Sequence, residues 1–141
     1  MEQKIREHIN LFFKITEMAE FSAEEKKISI AQWFESVIFC LNKLKLNKNK
    51  LFFLGNGASA SMAAHFATDF TKNVLIPSYS NTDGTLLTCF SNDFSYENAY
   101  TEMLKRLMED GDGLIAISSS GKSQNLLNAA NFVKNTYKNS P

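Results

Sequence analysis

From residue 51 onward, three short apolar runs alternate with segments of helical character, and this alternation constrains the fold more than any other feature. The runs are LFFLG (51–55), TLLTCFS (85–91) and GLIAIS (113–118). Each is followed by a stretch in which apolar residues recur every three or four positions, as on one face of a helix. Strands that alternate with helices form a parallel sheet covered by helices. The sequence therefore predicts an α/β fold, a three-layer αβα sandwich around a parallel sheet.

The residues ahead of this alternation have only the helical pattern. Apolar residues recur at helical spacing over residues 2–20 and again over about 23–46. The segment SAEE (22–25) has the form of a capping box and predicts the start of the second helix. The broad apolar faces of both helices belong either to the core or to a contact with another subunit. We therefore predict a helical region (1–47) ahead of a sandwich domain (48–141), and these residues leave the choice between core and subunit contact open.

The composition is that of a globular protein and argues against several functional classes. Hydrophobic residues make up 44% of the chain, and the 15 Lys and Arg residues balance the 15 Asp and Glu residues. A neutral chain with no basic excess is not expected to bind nucleic acid or anionic membranes. Its apolar runs are too short to span a bilayer, and its first turns are charged, unlike a signal peptide. The sequence predicts a cytoplasmic protein.

The two cysteines are expected to be structural. Cys40 and Cys89 are far apart, lie in apolar surroundings and form no C-x-x-C motif. We predict two buried reduced thiols rather than a disulfide or a metal pair.

Small and polar residues follow each of the three predicted strands. They read GNGASAS (55–61), SND (91–93) and SSSGKS (118–123). In open α/β sheets, ligands bind at the carboxyl ends of the strands. The three loops are therefore predicted to converge on one site.

The third loop differs by one residue from the nucleotide-binding P-loop G-x-x-x-x-G-K-[ST]. Ala116 replaces the first glycine, and this position falls within the predicted strand rather than in a loop. The alternative is a short turn in which hydroxyls and the N–H groups of the next helix bind a phosphate monoester. The serines could also merely cap the helix and fill the turn. We favour phosphate binding by the four hydroxyls, which belong to Ser118, Ser119, Ser120 and Ser123.

The first loop does not have the full glycine pattern of a dinucleotide site. The third glycine of G-x-G-x-x-G is replaced by Ala60, so a nicotinamide cofactor is not expected. Beyond this loop, His65 and Asp69 are four positions apart and share one face of the predicted helix. Such a pair can bind a metal, transfer a proton, or be an ordinary solvated or capping pair.

Taken together, these segments resemble the signatures of the SIS (sugar isomerase) domain family, with the phosphoheptose isomerase branch as the best match. They read GNGASASMAAHFATDF, SNDFSYENAY and ISSSGKSQNLLNA, and the resemblance extends to about residue 138. It implies a flavodoxin-like, Rossmann-like sheet and a homotetramer with active sites between subunits, in which the N-terminal helical region (1–47) serves oligomerisation. It also implies isomerisation of sedoheptulose 7-phosphate to D-glycero-D-manno-heptose 7-phosphate, for lipopolysaccharide or other surface glycans.

The resemblance also implies roles for particular residues. His65 and Asp69 would be catalytic and would ligate one zinc ion per subunit. Asp69 stands where the family has a Glu that is both ligand and general base, and its side chain is shorter by about 1.5 Å. The residues implied to contact the sugar phosphate are Asn56, Gly57, Ala58, Ser59, Asn92, Asp93, Ser118, Ser119, Ser120 and Ser123.

Members of this family continue through further strands and a helix whose Gln and His complete the zinc site. The present sequence ends at Pro141, so we expect a piece of a longer chain that lacks the C-terminal strands, with a short natural form stabilised by oligomerisation as the alternative. Two other functions stay open from the sequence. One is a non-catalytic SIS protein that binds a sugar phosphate or a partner protein, as replication-initiator-associated relatives do. The other is an isomerase of a different phosphosugar.

Overall fold

The computed structural model describes residues 1–137 and 140–141, which form two compact units, Met1–Phe39 and Cys40–Pro141. In chain order, the helices and strands are α1 (Glu2–Glu17), β1 (Phe21–Ala23), β2 (Lys26–Ile28), α2 (Ile30–Asn47), β3 (Leu51–Gly55), α3 (Ala58–Asp69), β4 (Ser78–Ser80), α4 (Gly84–Phe94), α5 (Tyr96–Leu107), β5 (Gly113–Ile117) and α6 (Gln124–Thr136). Helix α3 runs directly into a π-helical turn, Phe70–Val74. The segment SQNLLNAANFVKNTYKN (123–139) predicts the last helix from sequence, and its residues 138–139 lie outside the described residues.

In the first unit, helix α1 confirms the first predicted helix, but the predicted start of the second helix is wrong. The segment SAEE (22–25) belongs to an antiparallel hairpin formed by β1 and β2. Glu24 and Glu25 form its turn with positive φ angles of 48° and 67°. The capping box lies seven residues later: the Ser29 hydroxyl accepts from the Gln32 backbone N–H, and the Gln32 side chain accepts from the Ser29 N–H. Ser and Gln three apart are the residues this motif requires.

The second unit is built on a parallel sheet with strand order β4-β3-β5. All five residues of the central strand β3 are buried. Successive side chains of a strand point to opposite faces, so Leu51 and Phe53 pack with α3 on one face. Phe52 and Leu54 pack with α5 and α6 on the other face. The three-layer αβα prediction is confirmed.

The segment TLLTCFS (85–91) is not a strand; it lies within helix α4. The Asp83 carboxylate caps this helix by accepting from the Leu86 N–H at 2.9 Å. Leu86 and Phe90, one turn apart, pack against the core formed with α5 and α6. Spacing of i and i+4 brings both onto one helical face, and this tertiary packing overrides the strand-like run of apolar residues. The third strand of the sheet is instead β4, which is three residues long.

None of the helices in the described ranges is long and apolar enough to cross a membrane. Both cysteines are free thiols, as predicted, but the prediction that both are buried is wrong. Cys89 is exposed on α4, and Cys40 is partly exposed.

Candidate functional site

The end of strand β3 and the start of helix α3 form one side of the candidate site. Gly55 ends the strand, and a Cβ atom at this position would overlap the Ser59 carbonyl group. The first turn of α3 therefore packs directly against the strand end, which only glycine permits. Gly57 precedes the helix with a φ angle of 55°, in the left-handed region that favours glycine. This sharp connection leaves the start of α3 at the carboxyl edge of the sheet.

The serine-rich turn that follows β5 forms the other side. The Ser118 hydroxyl accepts from the Gly121 N–H at 3.1 Å, and the Ser120 hydroxyl accepts from the Lys122 N–H at 3.2 Å. These two serines thus shape the turn and still have their own hydroxyl protons to donate. Ser123 stands at the N-cap of α6, where no side-chain capping bond is found among the described residues. Its hydroxyl lies 3.5 Å from that of Ser118.

The first and third predicted loops lie side by side. Strands β3 and β5 are parallel neighbours, with Gly55 paired to Ile117 at their carboxyl ends. Helices α3 and α6 therefore begin at the same edge of the sheet. A helix N-terminus carries unpaired N–H groups and a partial positive charge, and both features favour anions. Two such ends, flanked by hydroxyls, can hold a phosphate group.

A closed set of hydrogen bonds joins the two loops. The Asn56 amide donates to Asn125 Oδ1 at 2.9 Å and accepts from Asn125 Nδ2 at 3.0 Å. The Tyr96 hydroxyl, at the start of α5, donates to Asn56 Oδ1 at 2.9 Å. Residues from three elements thus meet on Asn56. Asn56 was predicted from the sequence, whereas Asn125 and Tyr96 were missed, although both stand within the segments that carry the family resemblance.

The second predicted loop is different from what was expected. Asn92 and Asp93 lie in the last turn of α4, not after a strand. Asn92 donates to Asp93 at 3.0 Å, and the Cys89 thiol lies 3.9 Å from Asp93. The residue that reaches the paired loops from this part of the chain is Tyr96, just after the junction of α4 and α5. The role of Asn92 and Asp93 in substrate binding stays a prediction.

His65 and Asp69 form a pair on α3, as their spacing predicts. His65 Nε2 lies 3.3 Å from Asp69 Oδ2, and the two side chains are 75% and 44% exposed. Asn73 donates to the other Asp69 oxygen at 3.4 Å. The pair is open to solvent. Its His–carboxylate geometry is compatible with proton transfer.

The same pair provides only part of a zinc site. Zinc in catalytic sites is held by three protein side chains, usually His, Asp, Glu or Cys. Within residues 1–137 and 140–141, no group of three or more such side chains lies together. The described residues therefore do not fit a zinc ion by themselves.

Tyr100 hydrogen-bonds the end of strand β3 next to the candidate site. It is buried, and its hydroxyl donates to the Gly55 carbonyl oxygen at 2.6 Å. Burial, with a smaller contribution from Tyr96, raises the pKa of Tyr100 to about 12. Tyr100 therefore stays a neutral donor that fixes the last carbonyl of β3.

Comparison with known families and proteins covers most of the chain. A model of the SIS domain matches residues 12–136. The phosphoheptose isomerase of Haemophilus ducreyi is 35% identical over 122 residues, covering 83% of this chain and 61% of that protein. The phosphoheptose isomerase of Laribacter hongkongensis is 36% identical over 107 residues, covering 72% of this chain and 53% of that protein. The chain thus spans less than two thirds of the length of these relatives.

Solved structures show the same fold. A phosphoheptose isomerase from Neisseria gonorrhoeae superposes with a TM-score of 0.78 at 24% identity, covering 99% of this chain and 71% of the other. One from Francisella tularensis gives a TM-score of 0.62 at 21% identity, covering 79% and 70%. Both agree with a parallel sheet between layers of helices.

Proposed function

Because this chain belongs to the SIS domain family, we propose that it binds a sugar phosphate as part of a phosphoheptose isomerase. The substrate would be sedoheptulose 7-phosphate and the product D-glycero-D-manno-heptose 7-phosphate, a precursor of surface glycans such as lipopolysaccharide. The names of its relatives support this choice of reaction. The observation that carries it is the pair of helix N-termini at one sheet edge, joined by the Asn56–Asn125 bonds.

The phosphate would bind at the start of α3 and α6. There it meets backbone N–H groups and the hydroxyls of the serine turn, neither of which requires a metal. Ser59, in the first turn of α3, would add a further hydroxyl. Asn56, Gly57 and Ala58 would line the sugar, and Asn92 and Asp93 would contact its hydroxyl groups.

Isomerisation moves a proton between two adjacent carbons, so a base must stand near the other end of the sugar. At 1.5 Å per residue, His65 lies about 10 Å along α3 from Ala58. A seven-carbon sugar held by its phosphate would have to lie along α3 for its reacting carbons to meet this pair. Asp69, paired with His65, is the carboxylate that would take the proton and return it to the neighbouring carbon. Anchoring the phosphate holds the reacting carbons against this base.

Zinc stays a prediction of the family resemblance, with His65 and Asp69 as two of the ligands it would need. A cytoplasmic homotetramer is likewise part of the proposal. The exposed apolar stripe of α1 supports an oligomer, since the described part of the chain buries no residue of this helix.

The test is turnover of sedoheptulose 7-phosphate by the natural full-length protein. Ser123→Ala should raise KM about 10-fold, because each charge-assisted hydrogen bond to phosphate contributes roughly 1.5 kcal/mol or more. Asp69→Asn should abolish turnover but keep substrate binding, as measured by ligand-induced thermal stabilisation. Ser22→Ala, in the exposed hairpin, is the matched control and should behave like wild type.

Two results would contradict the proposal. Wild-type protein that is stabilised by the sugar phosphate without converting it would be a binding module rather than an isomerase. If the wild-type protein neither binds nor converts any phosphosugar, the assignment of this site to a sugar phosphate is wrong.

A further inference from the structure

The buried amide of Asn125 leaves Asn56 only one orientation. Asn125 is 2% exposed. The Leu126 backbone N–H is shared between the Asn125 Oδ1 at 3.0 Å and the Ser123 carbonyl oxygen at 3.1 Å. A backbone N–H can only donate, so the end of the Asn125 amide that faces it must be the oxygen. The Asn125 Nδ2 then necessarily faces Asn56.

The orientation of Asn56 follows from that of Asn125. Asn56 Oδ1 faces the Asn125 Nδ2 donor, and Asn56 Nδ2 faces the Asn125 Oδ1 acceptor. A flipped Asn56 would bring two NH₂ groups together and two oxygens together, and both contacts are repulsive. Tyr96 donates to the same Asn56 oxygen at 2.9 Å and so occupies its second lone pair.

The hydrogen bonds already made limit what Asn56 can offer a ligand. Its oxygen has accepted two hydrogen bonds, which is its full capacity, and one of its two amide protons is bound to Asn125. Within the part of the chain that the structure describes, one N–H proton remains. Asn56 is half-buried at the mouth of the paired loops, so this proton is the polar group that its side chain can direct to a ligand.

We propose that Asn125 is a positioning residue that fixes the Asn56 amide as a single N–H donor toward a hydroxyl or carbonyl oxygen of the sugar phosphate. This inference rests on the proposed function, since it assigns Asn56 to the same substrate. It adds that Asn125 acts on the reaction through Asn56 alone. It therefore predicts a specific form of coupling between the two residues.

The first test is a double-mutant cycle in the full-length protein, with kcat/KM for sedoheptulose 7-phosphate as the readout. Asn56→Ala and Asn125→Ala should each lower kcat/KM by about 10- to 100-fold. The double variant should be no worse than Asn56→Ala, because Asn125 has nothing left to position. Losses that multiply would show that Asn125 acts on overall stability instead, and would overturn the proposal.

The second test uses Asn125→Asp, which keeps the shape of the side chain and the acceptor for Leu126 in case the alanine variant fails to fold. When the introduced carboxyl group is ionised, its second oxygen would face the Asn56 oxygen and turn Asn56 away. When it is protonated, it can donate to Asn56 again. Activity of Asn125→Asp relative to wild type should therefore recover at least about 10-fold as the pH falls through the pKa of the introduced carboxyl group, with melting temperature followed at each pH.

The outcomes separate this inference from the proposed function. A constant ratio of variant to wild-type activity across the pH range would overturn the positioning role while leaving the isomerase function intact. Wild-type protein with neither turnover nor binding of sedoheptulose 7-phosphate would overturn both. Wild-type turnover with coupled losses and acid recovery of Asn125→Asp supports both.

Discussion

The end of strand β3 is held by two contacts to its last residue, Gly55. Gly55 lets the first turn of α3 approach without a side chain in between, and the Tyr100 hydroxyl binds the Gly55 carbonyl oxygen. Asn56 follows immediately, so its position depends on both contacts. A single atom added at Gly55 or removed from Tyr100 is therefore expected to affect the candidate site.

Tyr100 gives a prediction about pH. Its pKa is raised to about 12 in the folded protein against an ordinary value of 10.0. Its contribution is fully present below pH 10 and is lost as the pH rises toward 12, because only the unfolded chain then releases the proton. Between pH 9 and pH 11 this lowers the free energy of unfolding by about 1 kcal/mol.

Tyr100→Phe removes this dependence and also one buried hydrogen bond. At pH 9 the variant should be less stable than wild type by about 1 kcal/mol, and the difference should shrink toward zero at pH 11. Urea denaturation at the two pH values measures both differences. An equal difference in the free energy of unfolding between wild type and Tyr100→Phe at pH 9 and pH 11 would show that the fold does not keep the hydroxyl protonated.

Among site residues, those that directly follow a strand could be predicted from the sequence, and those identified only by a contact with a residue distant in sequence could not. Asn56 and the serines come directly after apolar runs, and the topology of a parallel sheet brings such residues together. Asn125 and Tyr96 lie in the first turns of helices, where a polar residue is ordinary. Asn125 belongs to the candidate site only through its hydrogen bonds to Asn56, 69 positions away. A single sequence does not show which distant residues are in contact.

At the scale of secondary structure, a buried carboxylate joins the amino-terminal ends of strands β3 and β5, at the sheet edge opposite the candidate site. Asp112 is 1% exposed and accepts from the Lys50 backbone N–H at 2.7 Å and the Glu109 N–H at 3.0 Å. The Lys50 ammonium lies 3.3 Å from the same carboxylate. Burial alone would lower the pKa of Lys50, but Asp112 and then Glu109 outweigh it and raise that pKa.

Asp112→Asn is expected to destabilise the second unit by about 3 kcal/mol. The amide NH₂ group would face donors that now bind an oxygen, and the Lys50 charge would lose its buried partner. Glu109→Gln is the matched control: its exposed carboxylate lies 3.4 Å from Lys50, and exposed pairs contribute roughly 1 kcal/mol or less. Urea unfolding at pH 7 compares the two. Equal losses for both variants would be inconsistent with the burial of Asp112 as the cause.

Helices and strands were predicted correctly where the sequence pattern fitted only one type of secondary structure. β3 and β5 are short, apolar and bounded by glycine, and both were found. The segment 85–91 was misread because its apolar residues are compatible with a strand, while the Asp83 cap that starts α4 lies just before it. Strand β4 was missed because three half-exposed residues carry too little pattern. The SAEE segment has the letters of a capping box, but Ser29 and Gln32 form the real one.

At the scale of the whole molecule, helix α1 has an exposed apolar face. Ile5, Ile9 and Phe12 recur along one face and are 54%, 50% and 65% exposed. Contiguous exposed apolar patches on soluble proteins usually mark interaction sites. The proposed oligomer would cover this surface with further copies of the same chain.

Phe12→Glu should therefore lower the molar mass of the full-length protein in solution. A charge placed in a desolvated contact costs several kcal/mol, enough to dissociate an oligomer at micromolar concentration. Size-exclusion chromatography with light scattering measures the mass. Asn10→Glu, which adds the same charge away from the stripe, is the control and should leave the mass unchanged. A wild-type protein that is monomeric at high concentration would refute the oligomer.

The bond between Asn56 and Asn125 also has a consequence for the order of events as the chain folds. The two residues are 69 positions apart, and a loop of that length must close before either amide finds its partner. Contacts this distant in sequence form slowly compared with helices and tight turns. During synthesis from the N-terminus, the glycine-containing loop that carries Asn56 leaves the ribosome before the helix that carries Asn125. The candidate site is therefore completed late, when α6 packs against α5 and the sheet.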